Sequence, residues 1–137
     1  MIIVDDHLAL LAVTGHLPDL DDVGPIATTA SFQFRLARAL ADSARSGALS
    51  RRLADPEAAL RRVVKPPAHR LVVLDPRASV ADAVRVAVEH RANLLLAELM
   101  GAAIYHRASV RVANANVGKT WGAAMRSAGV DFAAVDI

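Results

Sequence analysis

Residues 1–13 read "MIIVDDHLALLAV". Four apolar residues run straight into two adjacent acids, Asp5 and Asp6, and the apolar pattern then resumes. A short apolar run bounded by acids predicts a buried strand, and "HLALLAVTG" predicts a helix closed by Gly15. A strand that turns at once into a helix opens an α/β domain if the alternation continues down the chain. The two acids are either a turn and helix cap or the first ligands of a metal site.

The alternation does continue. "PIATTA" is short and β-branched, a second strand, and "SFQFRLARALADSARSG" predicts a helix from an N-cap at Ser31 to Gly47. "DPEAALRRVVK" opens with Asp55 as cap and Pro56 at the first helical position. "HRLVVLD" is a third strand, again ending on an acid, Asp75. A helix capped by Ser79 and a more apolar helix capped by Asn93 follow, then the strand "VRVANA", a helix stopped by Gly129 and the closing strand "VDFAAVDI". The order βα, βαα, βαα, βα, β predicts one domain over residues 1–137, with a three-layer architecture of five mostly parallel strands covered by helices on both faces. Ligands of such open sheets sit beyond the carboxyl ends of the strands. Asp5 and Asp6 end the first strand there, and Asn114 and Asn116 end the fourth.

Composition narrows the function. No run reaches the roughly 18 apolar residues of a membrane span; the longest candidate, "NLLLAELMGAAIY", carries Glu98 in its middle. The N-terminus has neither the basic flank nor the cleavage site of a signal peptide, which predicts a cytoplasmic protein. With no cysteine there is no disulfide and no thiolate zinc site. Lys65 and Lys119 are the two lysines among 16 cations, and an Arg-, Ala- and Val-rich chain of this kind matches a GC-rich bacterial genome. Net charge is only +2, but residues 1–22 hold five acids and no Lys or Arg, while residues 35–70 hold nine cations against three acids. A basic flank beside an acidic pocket suits a nucleic-acid phosphate chain, and it equally suits a solvated helical hairpin.

Several motifs fall away. "VGKTW" at 117–121 lacks the glycine cradle of a phosphate-binding loop, since the first glycine would fall on Ala113. The five histidines make no i, i+4 pair for zinc, and His90 and His106 stand near predicted helix ends, where positive charge suits the dipole. No serine lies in a nucleophile elbow. Glu98 is different. Its neighbours within a turn are Leu94, Leu95, Leu99, Ala102 and Ala103, so a buried carboxylate there needs an Arg partner or a metal.

On these residues the chain resembles the PIN-domain family, especially the VapC-type toxin ribonucleases of bacterial toxin–antitoxin pairs. "MIIVDDHLALLAV" is similar to the family opening, with Asp5 on its first acid and Asp6 where Thr or Ser is usual, which makes Asp6 the expected helix cap. "ELMGAAIYHRASVRVANAN" runs eighteen residues from Glu98 to Asn116, matching the spacing from the family's helix acid to its strand-end acid, with Ala103 at a small packing position. The resemblance implies a sheet ordered 3-2-1-4-5, a metal-dependent endoribonuclease, Mg²⁺ or Mn²⁺ as cofactor, a homodimer and an antitoxin-like protein partner. The departures are as specific as the match. The family's second acid is missing, its region offering Gln33 or Arg35; the helix acid is the longer Glu98; the strand-end Asp is Asn116.

Hard cations want carboxylate oxygens. An Arg35 inside the cluster could pair with Asp5 or Glu98 and replace the metal, and Asp6 could contribute only if the strand has already turned, because neighbouring strand residues face opposite ways. The sequence therefore favours a PIN-like domain with weakened or lost nuclease activity. The alternative is an active Mg/Mn ribonuclease using Asp5 and Glu98, with Asn116 as a further metal ligand and Asp6, Arg35 and Asn114 around them, holding RNA on Arg38, Arg51, Arg52, Arg61 and Arg62. A third possibility is an unrelated α/β interaction domain, which a different strand order would support.

Overall fold

The computed structural model describes residues 1–20, 24–46 and 53–137. Five strands form one sheet: β1 (Ile2–Val4), β2 (Ile26–Thr28), β3 (Val72–Val73), β4 (Ser109–Ala113) and β5 (Phe132–Val135). Their order is β3-β2-β1-β4-β5, and every pair is parallel. Among the described residues the α-helices are α1 (Asp6–Thr14), α2 (Ala30–Ser46), α3 (Pro56–Val64), α4 (Pro76–His90), α5 (Leu94–His106) and α6 (Trp121–Ser127). The predicted element order, the parallel sheet and the strand order all stand, and the strand order removes the support an unrelated α/β domain would have had.

β1 is the central strand because it has nothing polar on either side. Ile2, Ile3 and Val4 are all buried, as a parallel strand covered on both faces requires. Strand alternation then divides them between two cores. Ile2 and Val4 pack with Leu8 and Val13 of α1, Leu36 and Leu40 of α2 and Val63 of α3. Ile3 packs with Leu99 and Met100 of α5, Val86 of α4 and Met125 of α6. That is the three-layer arrangement. Gly101 lets α5 lie close on α4, since a Cβ there would stand 2.5 Å from the Ala83 backbone nitrogen.

Three caps differ from expectation. Asp5, not Asp6, is the N-cap of α1, its Oδ1 accepting from the Leu8 N–H at 3.1 Å. α2 begins one residue before Ser31, and the Thr29 hydroxyl accepts from the Phe32 N–H at 3.4 Å. α4 starts at Pro76 under an Asp75 cap rather than at Ser79, so "DP" acts as a cap and first helical residue, as it does at Asp55–Pro56. Asp75 therefore does not end the third strand: β3 is only two residues long and stops at Val73. Asn93 and Gly15 cap as expected. No described helix is long and apolar enough to cross a membrane.

The chain leaves β1 toward β2 and β3 and returns to the other side of β1 to lay down β4. The switch point therefore lies between β1 and β4, and a crevice opens at their carboxyl ends. Asp5 follows β1, and a 3₁₀ turn at Asn114–Asn116 follows β4.

Candidate functional site

The fold brings Asp5, Asp6, Arg35 and Asn116 together at this crevice. The strand has already turned after Val4, because Asp6 is the first residue of α1. Both acids can thus face the same group. The Asn116 side-chain amide donates to Asp5 Oδ2 at 2.5 Å and to Asp6 Oδ1 at 2.7 Å. Arg35 donates from Nε to Asp6 Oδ2 at 2.5 Å and from a terminal nitrogen to Asp6 Oδ1 at 2.7 Å. This is the planar two-point pairing that guanidinium makes with carboxylate and ammonium does not. Arg35 is paired to Asp6, rather than to Asp5 or Glu98 as expected.

Arg35 is aimed from the first turns of α2. Phe32, one turn earlier, is fully buried in the core, and the Arg35 guanidinium lies 5.2 Å from its ring centroid. Residues three apart share a helix face, so the buried ring fixes the direction of the arginine above it.

Asp5 is fully buried and closely held. Oδ1 accepts from Leu8, and Oδ2 accepts from the Ala113 N–H at 3.2 Å as well as from Asn116. Burial pushes its carboxyl above the ordinary value; the Leu8 N–H and Asn116 amide pull it back, and the Asp6 charge pushes it up again. The Asp6 pairing in turn holds the Arg35 guanidinium more firmly charged.

Glu98 solves its burial problem differently. Its Oε2 accepts from the Ser31 N–H at 3.0 Å. Ser31 is in the first turn of α2, where backbone N–H groups lack helical acceptors and the dipole favours negative charge. Glu98 therefore serves as a cap delivered from another helix. Together with Arg35 it borders a groove of about 510 Å³ lined also by Phe34, Pro76, Val80 and Leu94.

The other candidates lie apart. Asn114 donates to Asp136 and ties the 3₁₀ turn to the end of the chain. Arg38 stands in an exposed i, i+4 pair with Asp42 at 3.9 Å. Arg61 and Arg62 occupy the last turn of α3, and Arg62 borders a cavity between α1 and α3. Arg51 and Arg52 lie outside the described residues. His90 and His106 are in the last turns of α4 and α5.

The fit to a divalent ion can be tested on these donors. Mg²⁺ and Mn²⁺ need free oxygen lone pairs converging on one point. Here both oxygens of Asp6 face the guanidinium, and Asn116 presents its amide hydrogens to the two acids. Three N–H groups already occupy Asp5, and Glu98 is engaged with Ser31. Among the described residues no three Asp, Glu, His or Cys side chains are grouped to hold a metal. The arrangement does not fit the ion that the family resemblance implies.

Sequence reasoning missed the Ala113 and Ser31 backbone donors and the Asp6 pairing. The first two leave no trace in residue type. The third had a signal: Asp6 at a helix start must face inward when Asp5 takes the cap.

No protein-family model matches the chain, and no curated protein matches it. Among solved structures it is similar to the crystal structure of PAE2754 from Pyrobaculum aerophilum, with a TM-score of 0.60 and 19% identity, over 96% of this chain and 89% of that one. At that identity the likeness is one of fold. With the parallel 3-2-1-4-5 sheet, it makes the architecture of this chain PIN-like.

Proposed function

We propose that this protein is a PIN-like binding domain that has weakened or lost metal-dependent ribonuclease activity. One observation carries the reading: the Arg35 guanidinium takes both oxygens of Asp6, within a carboxylate cluster that a ribonuclease of this fold would need for its metal. A cation fixed to the chain neutralises the acids without binding water in a form that can be deprotonated for attack on phosphate. Asn116 adds to the same effect, since it bridges Asp5 and Asp6 by donating where an acid would accept. What the site does chemically is hold β1, β4 and α2 in one register. What it leaves for function is surface: the exposed cations of α2 and α3, and the groove beside Glu98 and Arg35.

The test is cleavage of a fluorescent RNA pool by purified protein in Mg²⁺ and in Mn²⁺. The expected result is a rate at background, unchanged by Asp5→Asn. Cutting in Mn²⁺ that disappears with Asp5→Asn overturns the reading and assigns a catalytic role to Asp5.

A further inference from the structure

The groove between α2, α4 and α5 holds two charged side chains in an otherwise mostly apolar lining, Arg35 and Glu98. Phe34, Val80 and Leu94 border it and stand 69%, 56% and 73% exposed. Single exposed apolar residues are ordinary on a protein surface; three large ones around one concavity are not. A volume of about 510 Å³ is in the range that takes a small molecule, held by a few polar groups within an apolar wall.

Both charged groups keep capacity that the fold does not use. Glu98 is only 7% exposed, and its Oε2 accepts from the Ser31 N–H, but Oε1 has no partner among the described residues. The α2 N-terminus offsets about half a unit charge, so negative charge remains at the groove wall. Arg35 carries five N–H donors, and two of them go to Asp6. The other three have no partner among the described residues. The Asp6 pairing fixes the guanidinium plane, so these donors are oriented before any ligand arrives. Glu98 meets α2 at Ser31, and Arg35 springs from the same helix four residues on, an axial step of about 6 Å.

We infer that the groove binds an apolar dipeptide with both ends free, its ammonium on Glu98 Oε1, its carboxylate on the unused Arg35 N–H groups and its side chains against Phe34, Val80 and Leu94. The inference rests on the proposed loss of metal binding, which leaves Glu98 open to another cation. Charge selects the class. A simple anion sets its charge beside Glu98, and a simple cation sets its charge beside Arg35. A zwitterion answers both. Spacing selects the length. An extended chain spans about 3.5 Å per residue, so the ends of two residues match the step between the two partners and those of a single amino acid fall short.

The experiment is a calorimetric titration of the full chain with Leu-Leu, with N-acetyl-Leu-Leu, with Leu-Leu amide and with free leucine. Leu-Leu is expected to give saturable heat at millimolar concentration. Removing the charge at either end, or shortening the ligand to leucine, is expected to weaken binding about tenfold or more. Glu98→Gln keeps an acceptor for the Ser31 N–H, so its circular dichroism spectrum is expected to match wild type. In that variant Leu-Leu is expected to bind about tenfold more weakly, while N-acetyl-Leu-Leu, which has no ammonium to lose, binds as it does to wild type. Phe34→Ala, at an exposed position, is expected to weaken all four ligands alike. Absence of saturable heat from Leu-Leu overturns the inference. Equal affinity for Leu-Leu and any of the other three ligands, or an unchanged Leu-Leu affinity in Glu98→Gln, overturns it as well. Repeating the titration in Mn²⁺ separates this inference from the reading beneath it. Displacement of Leu-Leu by saturable Mn²⁺ binding overturns that reading, whereas a protein that binds neither Leu-Leu nor Mn²⁺ overturns the inference alone.

Discussion

The Arg35 guanidinium lies flat against the Asp6 carboxylate, with nitrogen–oxygen distances of 2.5 and 2.7 Å, and Asn116 joins the same Asp6 oxygen to Asp5. Three elements that arrive from different parts of the chain are closed by this pairing: the start of α1, the first turns of α2 and the turn after β4. The crevice at the sheet's switch point is filled by a cation that belongs to the protein.

Removing that cation should be felt in stability first. Arg35→Ala leaves the buried Asp6, at the start of α1, with the Asn116 amide and the His7 N–H as its donors among the described residues. Breaking a fully buried ion pair costs about 3–5 kcal/mol, and because the Arg35 side chain is 40% exposed the expected loss is about 1–2 kcal/mol. Arg35→Lys should recover less than half, since an ammonium cannot make the two parallel bonds. Urea denaturation of the three proteins measures this. A loss below a few tenths of a kcal/mol for Arg35→Ala would mean that the pairing has no structural role.

Glu98 separates a structural carboxylate from a catalytic one. In Glu98→Gln the amide oxygen can still accept from Ser31, and only the interaction of a charge with the α2 N-terminus is lost, about 0.3–1 kcal/mol. In Glu98→Ala the Ser31 N–H also loses its acceptor, for a further 1–2 kcal/mol or so. The amide exchange rate of Ser31, measured by NMR, should rise in Glu98→Ala and stay near wild type in Glu98→Gln. Equal exchange in all three proteins would contradict the cap.

Asp5 sets a pH dependence of definite sign. Its carboxyl is raised in the folded protein above the ordinary 3.8, mainly by burial. A raised acid binds its proton more tightly when folded, so its contribution to stability is fully present below the unfolded value and is lost as pH rises through the folded one. The difference in unfolding free energy between wild type and Asp5→Asn should therefore shift in favour of wild type as pH falls through that window. Chemical denaturation at a series of pH values gives the difference directly. A shift in the opposite direction would mean that Asp5 is held below its ordinary value, as an acid tightly paired to a cation would be.

The alternation of short apolar runs with capped helices made the fold readable from the sequence alone. Ile2, Ile3 and Val4 read as a buried strand, and the Asp55–Pro56 and Asn93 caps marked helix starts that the structure keeps. The site was partly readable. Asp5 and Asn116 could be placed at one sheet edge by strand polarity, and Arg35 could be named as the odd residue near the acids. Which acid it would meet depended on a one-residue difference in where α1 is capped. That choice is made in three dimensions, by the Ala113 and Leu8 N–H groups that claim Asp5 and leave Asp6 to the arginine. The partner of Glu98 was unreadable for the same reason, being a backbone N–H 67 positions away.

The most direct test of the central claim is a calorimetric titration of Mn²⁺ into two proteins, wild type and the double variant Arg35→Glu with Asn116→Asp. The double variant replaces the built-in cation and the bridging amide with acids, around the unchanged Asp5, Asp6 and Glu98. If Arg35 and Asn116 stand in for a divalent ion, wild type gives no saturable heat at millimolar Mn²⁺, whereas the double variant binds one ion and gains thermal stability in its presence. Saturable binding by the wild-type protein, abolished by Asp5→Asn, would contradict the account.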